Sequence, residues 1–182
     1  MEKCGAEAKV TEDPREIEAA DGVVLPGVGA FKEARRRLEA LRGGLFGAVE
    51  SGRPLLGICL GLQLLFTRSF EGGVSSGLNL IEGDVVKLPE GVKIPHIGWN
   101  TINIVKENEI LDGVKDGSFV YFVHSYVSRP KEAEVTVSTT EYGATFPSVV
   151  AKGCIYATQF HPEKSGGEGL RILRNFVEAV KR

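Results

Sequence analysis

The chain is poor in the residues that build stapled or metal-bound folds. Of its 182 residues only three are cysteine, at positions 4, 59 and 154. An odd number at wide spacing excludes a disulfide framework and points to a reducing compartment, the cytoplasm. The three histidines are equally scattered and leave no ligand spacing for a metal site. Net charge is only −2, so no global basic field is available to nucleic acid. The longest basic run, Arg35-Arg36-Arg37, falls within a helical pattern and reads as a solvated face. No apolar run approaches the roughly 18 residues of a membrane helix, and no secretory leader is expected. Repeats, low-complexity tracts and interdomain linkers are also missing. The length suits one core, so residues 1–182 are expected to form a single domain.

What the chain does contain is a glycine-flanked cysteine. In Gly57-Ile58-Cys59-Leu60-Gly61-Leu62-Gln63 the cysteine follows the apolar run Pro54-Leu55-Leu56, which reads as a buried strand. It precedes Leu64-Leu65-Phe66, which reads as the continuation of a helix. Cys59 therefore sits on a sharp strand-to-helix turn, the thiol counterpart of a nucleophile elbow. A helix N-terminus beside it favours the thiolate. Taken alone, the residue also fits a small apolar side chain of the core. Cys4 and Cys154 read as structural or incidental.

The second half supplies a base. Gln159-Phe160-His161-Pro162-Glu163-Lys164-Ser165 follows another apolar run, Cys154-Ile155-Tyr156-Ala157. If that strand continues, period 2 places His161 and Glu163 on one side. His161 can then take the thiol proton while Glu163 holds the far ring nitrogen. Pro162 lacks an N–H and is expected to end the ladder. In isolation this stretch is a turn with a surface carboxylate. With the upstream elbow it makes a Cys59-His161-Glu163 triad. His124 is a rival base, but it lies in an apolar stretch with no Glu nearby. Gln63, one helical turn beyond Cys59, either faces the same pocket or lies on the helix surface.

The G-x-C-x-G-x-Q elbow with a late Q-F-H-P-E resembles the class I (triad-type) glutamine amidotransferases, and the likeness spans the whole chain. It implies hydrolysis of L-glutamine to glutamate, with the ammonia passed to a partner synthase and no cofactor. Pro26-Gly27-Val28-Gly29, after the apolar Val23-Val24-Leu25, matches the family's oxyanion loop. The implied oxyanion donors are the Gly27-Val28 loop and Leu60. Gln63, Ser125 and Tyr126 match substrate contacts. The Pro-Gly-Val-Gly form, Pro95-His96-Ile97-Gly98-Trp99-Asn100 and Tyr121-Phe122-Val123-His124-Ser125-Tyr126 resemble the branch that serves a TIM-barrel cyclase. His96, Trp99 and Asn100 are then expected at the partner interface, in a stretch too polar and Gly/Pro-broken for a buried strand. Trp99, the only Trp, reads as an interface anchor or as a cap on the domain's own core. A glutaminase for another synthase, or a non-catalytic scaffold of the same fold, are the alternatives.

The organisation reads as α/β in front and strand-rich behind. A helical turn is expected at 14–20 and a strand at 22–26, followed by helical spacing at Phe31, Ala34, Leu38, Leu41 and Leu45. Short strands are expected within 77–105, at 119–127, 133–140, 148–150 and 155–160, and an amphipathic helix at 168–182. Alternating elements imply a three-layer, flavodoxin-like or Rossmann-like sandwich with a mostly parallel central sheet. Ligands bind such folds at the carboxyl ends of the strands, where the triad motifs lie. Family members usually begin earlier, with a first strand and most of a first helix. Residues 2–10 are expected to be the tail of that helix plus the next strand.

Overall fold

Leu55 and Leu56 are adjacent and both buried, yet they belong to different cores, because successive side chains of a strand point to opposite faces. The computed structural model, which describes residues 1–182, is organised around that alternation. Helix α1 (Pro14–Ala19) leads to strand β1 (Val23–Leu25), helices α2 (Phe31–Leu38) and α3 (Arg42–Glu50), strand β2 (Leu55–Ile58) and the short helix α4 (Leu60–Leu64). Strands β3 (Phe66–Ser69), β4 (Ser75–Ser76), β5 (Ile81–Lys87), β6 (His96–Thr101) and β7 (Asn103–Ile104) follow. Then come β8 (Phe119–His124), β9 (Tyr126–Pro130), β10 (Thr136–Glu141), β11 (Thr145–Lys152) and β12 (Ile155–Thr158). Helix α5 (Gly166–Val180) closes the chain.

The main sheet runs β1-β2-β12-β11-β10-β7. Its parallel part is β1, β2 and β12; the pairs beyond β12 are antiparallel. One face is covered by α5 and the β6-β8 pair, through Ile172, Leu173, Phe176, Val120 and Phe122. The other is covered by α1 to α4 and the sheet β4-β3-β5-β9, through Ile17, Phe31, Leu38, Leu45, Phe66 and Val85. Two layers, each of helices and strands, thus sandwich the main sheet. The sequence explains the local elements. Asp13 caps α1 by accepting from Arg15 N at 2.9 Å, with Pro14 at the first helical position. In α2 Arg36 and Arg37 of the basic run are solvated and paired with Glu33, as expected of an exposed face, whereas Arg35 is half-buried and pairs with Glu39 and the Gly77 carbonyl.

Registers Leu25↔Gly57 and Ala157↔Gly57 bring the carboxyl ends of β1, β2 and β12 side by side. The chain leaves β2 directly into Cys59 and α4. A Cβ on Gly61 would lie 1.8 Å from the Leu25 carbonyl oxygen, so only glycine lets α4 pass this close to β1.

Three expectations are corrected. The central sheet is mixed and not mostly parallel: two of its five pairs are parallel and three antiparallel, because short turns join β10, β11 and β12 as hairpins. Residues 2–10 form no strand: Glu2–Cys4 is a single 3-10 turn and Val10 is 99% exposed. Two alanines and one valine among charges offer too little apolar area to offset the ordering entropy of a strand. Residues 96–101 do form a strand, β6, paired with β8. Its period 2 reconciles polar composition with regular structure, since one face is buried and the other open.

A pair of glycine substitutions tests the packing. Gly61→Ala is expected to lower stability by at least ~2 kcal/mol, roughly 4–8 °C in Tm for a domain of this size. Gly43→Ala, in α3 with nothing within 4 Å of a built Cβ, is expected to gain up to ~1 kcal/mol. Thermal melts of both variants check this, and an unaltered Tm for Gly61→Ala would refute the close approach.

Candidate active site

The nucleophile position is strained. Cys59 has φ 54° and ψ −106°, one of only two non-glycine residues with positive φ. Such a conformation costs about 1–3 kcal/mol and persists only where its surroundings enforce it. Here Cys59 N donates to Thr158 O at 2.8 Å and Gln63 N donates to Cys59 O at 3.2 Å, fixing the turn between sheet and helix. The thiol is buried, directed at the Val123 carbonyl at 3.7 Å, and receives Gln159 Nε2 at 3.8 Å.

The expected partner lies across the same cleft. His161 Nδ1 donates to Glu163 Oε1 at 2.7 Å. The pairing arises on a turn, not on a strand: β12 ends at Thr158, and Pro162–Lys164 form a 3-10 turn with His161 as its N-cap. This corrects the period-2 expectation, because Pro162 starts the turn instead of closing a ladder. The turn is tightly held. Tyr121 O accepts from His161 N at 2.9 Å, and Ser165 Oγ donates to His161 O at 2.6 Å while accepting from Tyr121 N at 2.9 Å. Gly169 lets α5 press on it, since a Cβ there would lie 1.9 Å from Pro162 O.

His161 Nε2 is buried and has no hydrogen-bond partner, and it lies beside the Cys59 thiol. The neighbouring Cys59 thiol first, and the Glu163 carboxylate second, push the imidazole pKa up to about 9 against the effect of burial. Burial pushes the Glu163 carboxyl up, but the His161 hydrogen bond and further attractions hold it below its ordinary value.

Cys59 and His161 line a cleft of about 280 Å³ together with Val28, Gly29, Leu60, Gln63, Ser125 and Tyr126. The structure thus brings the expected nucleophile, base, oxyanion loop and substrate contacts to one place. Gly27 packs on the elbow, where a Cβ would meet Leu60 Cβ at 2.9 Å and Gly61 N at 3.2 Å. Gln63 is buried, and its Nε2 donates to Tyr126 O at 3.0 Å and Gln159 Oε1 at 3.3 Å. His124 also lines the cleft, but both of its ring nitrogens are engaged, with His96 and with Tyr126 O. That leaves it no lone pair for a thiol proton.

Of the expected interface residues only Trp99 faces outward, at 56% exposure. His96 is buried, and Asn100 turns inward to it and to Glu141 O, because positions 96, 98 and 100 share the inner side of β6. Two residues of the site escaped the sequence reading, one buried behind the cleft and one lining it. Gln159 contacts Sγ and Gln63 from inside the Q-F-H-P-E motif. Glu71 is the only carboxylate on the cleft, and its Oε2 accepts from Phe31 N at 3.2 Å. Nothing in its surroundings in the chain marks it; only the folding of the segment after β3 brings it there.

The family model for glutamine amidotransferase class-I matches residues 1–180. The chain belongs to the class I glutamine amidotransferases. The amidotransferase is 54% identical to the imidazole glycerol phosphate synthase subunit HisH of Archaeoglobus fulgidus, over all of this chain and 91% of that protein. It is 49% identical to the subunit of the same name from Caldanaerobacter subterraneus, over 97% of this chain and 88% of the relative. A crystal structure of a glutamine amidotransferase superposes with a TM-score of 0.76 at 21% identity, over all of this chain and 90% of that one, and so shares the fold.

The His161 titration is directly measurable. Its protonated form is favoured in the fold, so its stabilising effect is full below about pH 6.5 and is lost as pH rises through about 9. NMR titration is expected to place the ring near 9, and Glu163→Gln is expected to lower it. An ordinary value in the wild-type chain would remove both neighbours as the cause.

Proposed function

We propose that this amidotransferase is the glutaminase subunit of an imidazole glycerol phosphate synthase, acting in histidine biosynthesis in the cytoplasm. It hydrolyses L-glutamine and passes ammonia to a TIM-barrel cyclase subunit in a one-to-one heterodimer. The cyclase forms imidazole glycerol phosphate and an aminoimidazole carboxamide ribotide. The observation that carries the reading is the meeting of Cys59 and the His161–Glu163 pair on one cleft, in a chain about half identical to HisH subunits. No helix is long and apolar enough to cross a membrane.

The chemistry follows from the atoms present. Glutamine enters with its side-chain amide at Cys59 and its α-ammonium toward the Glu71 carboxylate. His161 Nε2 takes the Sγ proton, or already holds it in a thiolate–imidazolium pair, as sulfur attacks the amide carbon, and the Glu163 carboxylate supports the imidazolium. The oxyanion is met by N–H groups of the Gly27-Val28 loop and Leu60, each worth roughly 3–4 kcal/mol in related chemistry. His161 returns the proton to the departing nitrogen, releasing ammonia. Water, deprotonated by His161, then attacks the thioester carbonyl; the C–S bond breaks to release glutamate, and Cys59 Sγ recovers the proton from His161. The outer face of β6 and β8 presents Ile97, Trp99 and Phe119, all more than half exposed, with the Trp99 ring edge-on to Tyr121 at 5.8 Å. This apolar face, close to the His161 turn, suits the cyclase.

Cys59→Ala is expected to abolish glutamine-dependent synthesis by the complex while ammonia-dependent synthesis continues, since free ammonia bypasses the thioester. His161→Ala should lose at least ~10²-fold in kcat and Glu163→Gln less, because the imidazole survives there. Steady-state assays with both nitrogen sources decide this; glutamine use by the Cys59 variant would refute the assignment. Glu71→Gln should raise KM for glutamine far more than it lowers kcat. Trp99→Ala should weaken binding of the cyclase or its stimulation of glutamine hydrolysis, with the subunit still folded. Calorimetric titration showing unchanged affinity, together with unchanged stimulation, would take Trp99 out of the interface.

A further inference from the structure

Two of the three histidines are buried beside the cleft and take no part in the hydrolysis described above. His96 Nδ1 lies 3.0 Å from His124 Nε2, and His124 Nδ1 lies 3.0 Å from Tyr126 O. Asn100 Nδ2 lies 3.4 Å from His96 Nε2. The polarity of these contacts is settled independently at each end. At one end the Tyr126 carbonyl can only accept, so His124 Nδ1 carries hydrogen. A neutral His124 then accepts at Nε2, and His96 Nδ1 must donate. At the other end Asn100 Oδ1 accepts from Thr101 N at 2.8 Å and Nδ2 donates to Glu141 O at 3.0 Å, which fixes the amide with its NH2 toward His96. His96 Nε2 must therefore accept. The two deductions agree: both rings are neutral and both carry hydrogen on Nδ1. A proton added to either ring would set N–H against N–H.

The rings are also clamped. His96 stacks between Tyr142 at 3.9 Å and Phe122 at 4.8 Å, and His124 meets Phe146 edge-on at 5.1 Å. The chain ends on a group the pocket uses. The Tyr126 carbonyl accepts from His124 and from Gln63 Nε2, and Gln63 in turn contacts Gln159, which reaches Cys59. We propose that His96 and His124 are positioning residues of the glutaminase site. With Asn100 they form a donor chain of fixed direction that holds the Tyr126 carbonyl, and through it the Gln63 amide, in place around glutamine. The chain begins on the inner side of β6, whose outer side carries Trp99. The kinetic part of this inference rests on the glutaminase reading; the tautomers do not.

Two measurements test it. Long-range proton–nitrogen NMR spectra of the full chain should show two neutral rings with hydrogen on Nδ1, unchanged between about pH 6 and about pH 8. One of them should vanish in His124→Phe. A ring with hydrogen on Nε2, or one that titrates in that range, overturns the chain. In the complex with the cyclase, His124→Phe keeps a ring of similar shape but no donor. It should raise KM for glutamine about tenfold, with kcat within about threefold, consistent with a lost hydrogen bond. His124→Asn, whose amide can donate to the Tyr126 carbonyl, should bring KM back to within about threefold of wild type. Thermal melts and calorimetric titration with the cyclase, close to wild type in both, verify folding. Equal impairment by Phe and Asn, or an unchanged KM in His124→Phe, refutes the positioning role. Absence of Cys59-dependent hydrolysis in the wild-type complex instead refutes the glutaminase reading, and the NMR result then judges the chain alone.

Discussion

The backbone contact between Gly61 and the Leu25 carbonyl is the constraint on which the site depends. It lets α4 start directly off the end of β2 while lying against the end of the neighbouring parallel strand β1. Since β1 runs straight into Pro26-Gly27, the same contact sets that loop on the elbow. The thiol, the N–H of Leu60 and the loop amides are thereby gathered by one close approach. The cost is the strained conformation at Cys59, about 1–3 kcal/mol. The sheet bond to Thr158 and the first α4 bond to Gln63 offset it.

The base is held by a different part of the molecule. The His161 turn is bound to β8 through Tyr121 and Ser165, and pressed from behind by α5 at Gly169. Nucleophile and base share one core and one pair of neighbouring strands, β2 and β12, but are fixed by different contacts. Their separation in sequence is large, yet each is locked in place by short backbone bonds. A partner on the exposed face of β6 and β8 would bear on the turn that carries the base, because Tyr121 lies opposite Trp99 in that pair.

Local signals were legible where local physics decides. The elbow could be read because glycines at 57 and 61 around a cysteine have few other uses, and α5 because its apolar spacing is long and regular. The β6 stretch was harder. Its alternation shows only once β8 pairs with it, so the sequence leads to the partner interface for His96 and Asn100 although they lie on the inner side. The His161–Glu163 pair was found through its spacing, but on the wrong element: a 3-10 turn replaces the strand once Pro162 intervenes. Glu71 was invisible for another reason. A carboxylate in a loop carries no period, and its place on the cleft arises only from long-range packing.

The three histidines show how partners, not burial, divide the chemistry. All three are almost wholly buried. Desolvation lowers the His96 pKa to about 4. Desolvation, then His96, lower that of His124 to about 3 against the opposing bond to Tyr126 O. At His161 the thiol and a carboxylate reverse the effect and raise the pKa to about 9. Burial costs every charged imidazole; only the one with an acidic partner on each side recovers that cost. The site therefore contains a single basic ring, protonated up to about pH 9, set beside two that stay neutral. A site that must take one proton from sulfur and deliver it to nitrogen is better served by one basic ring than by three in competition.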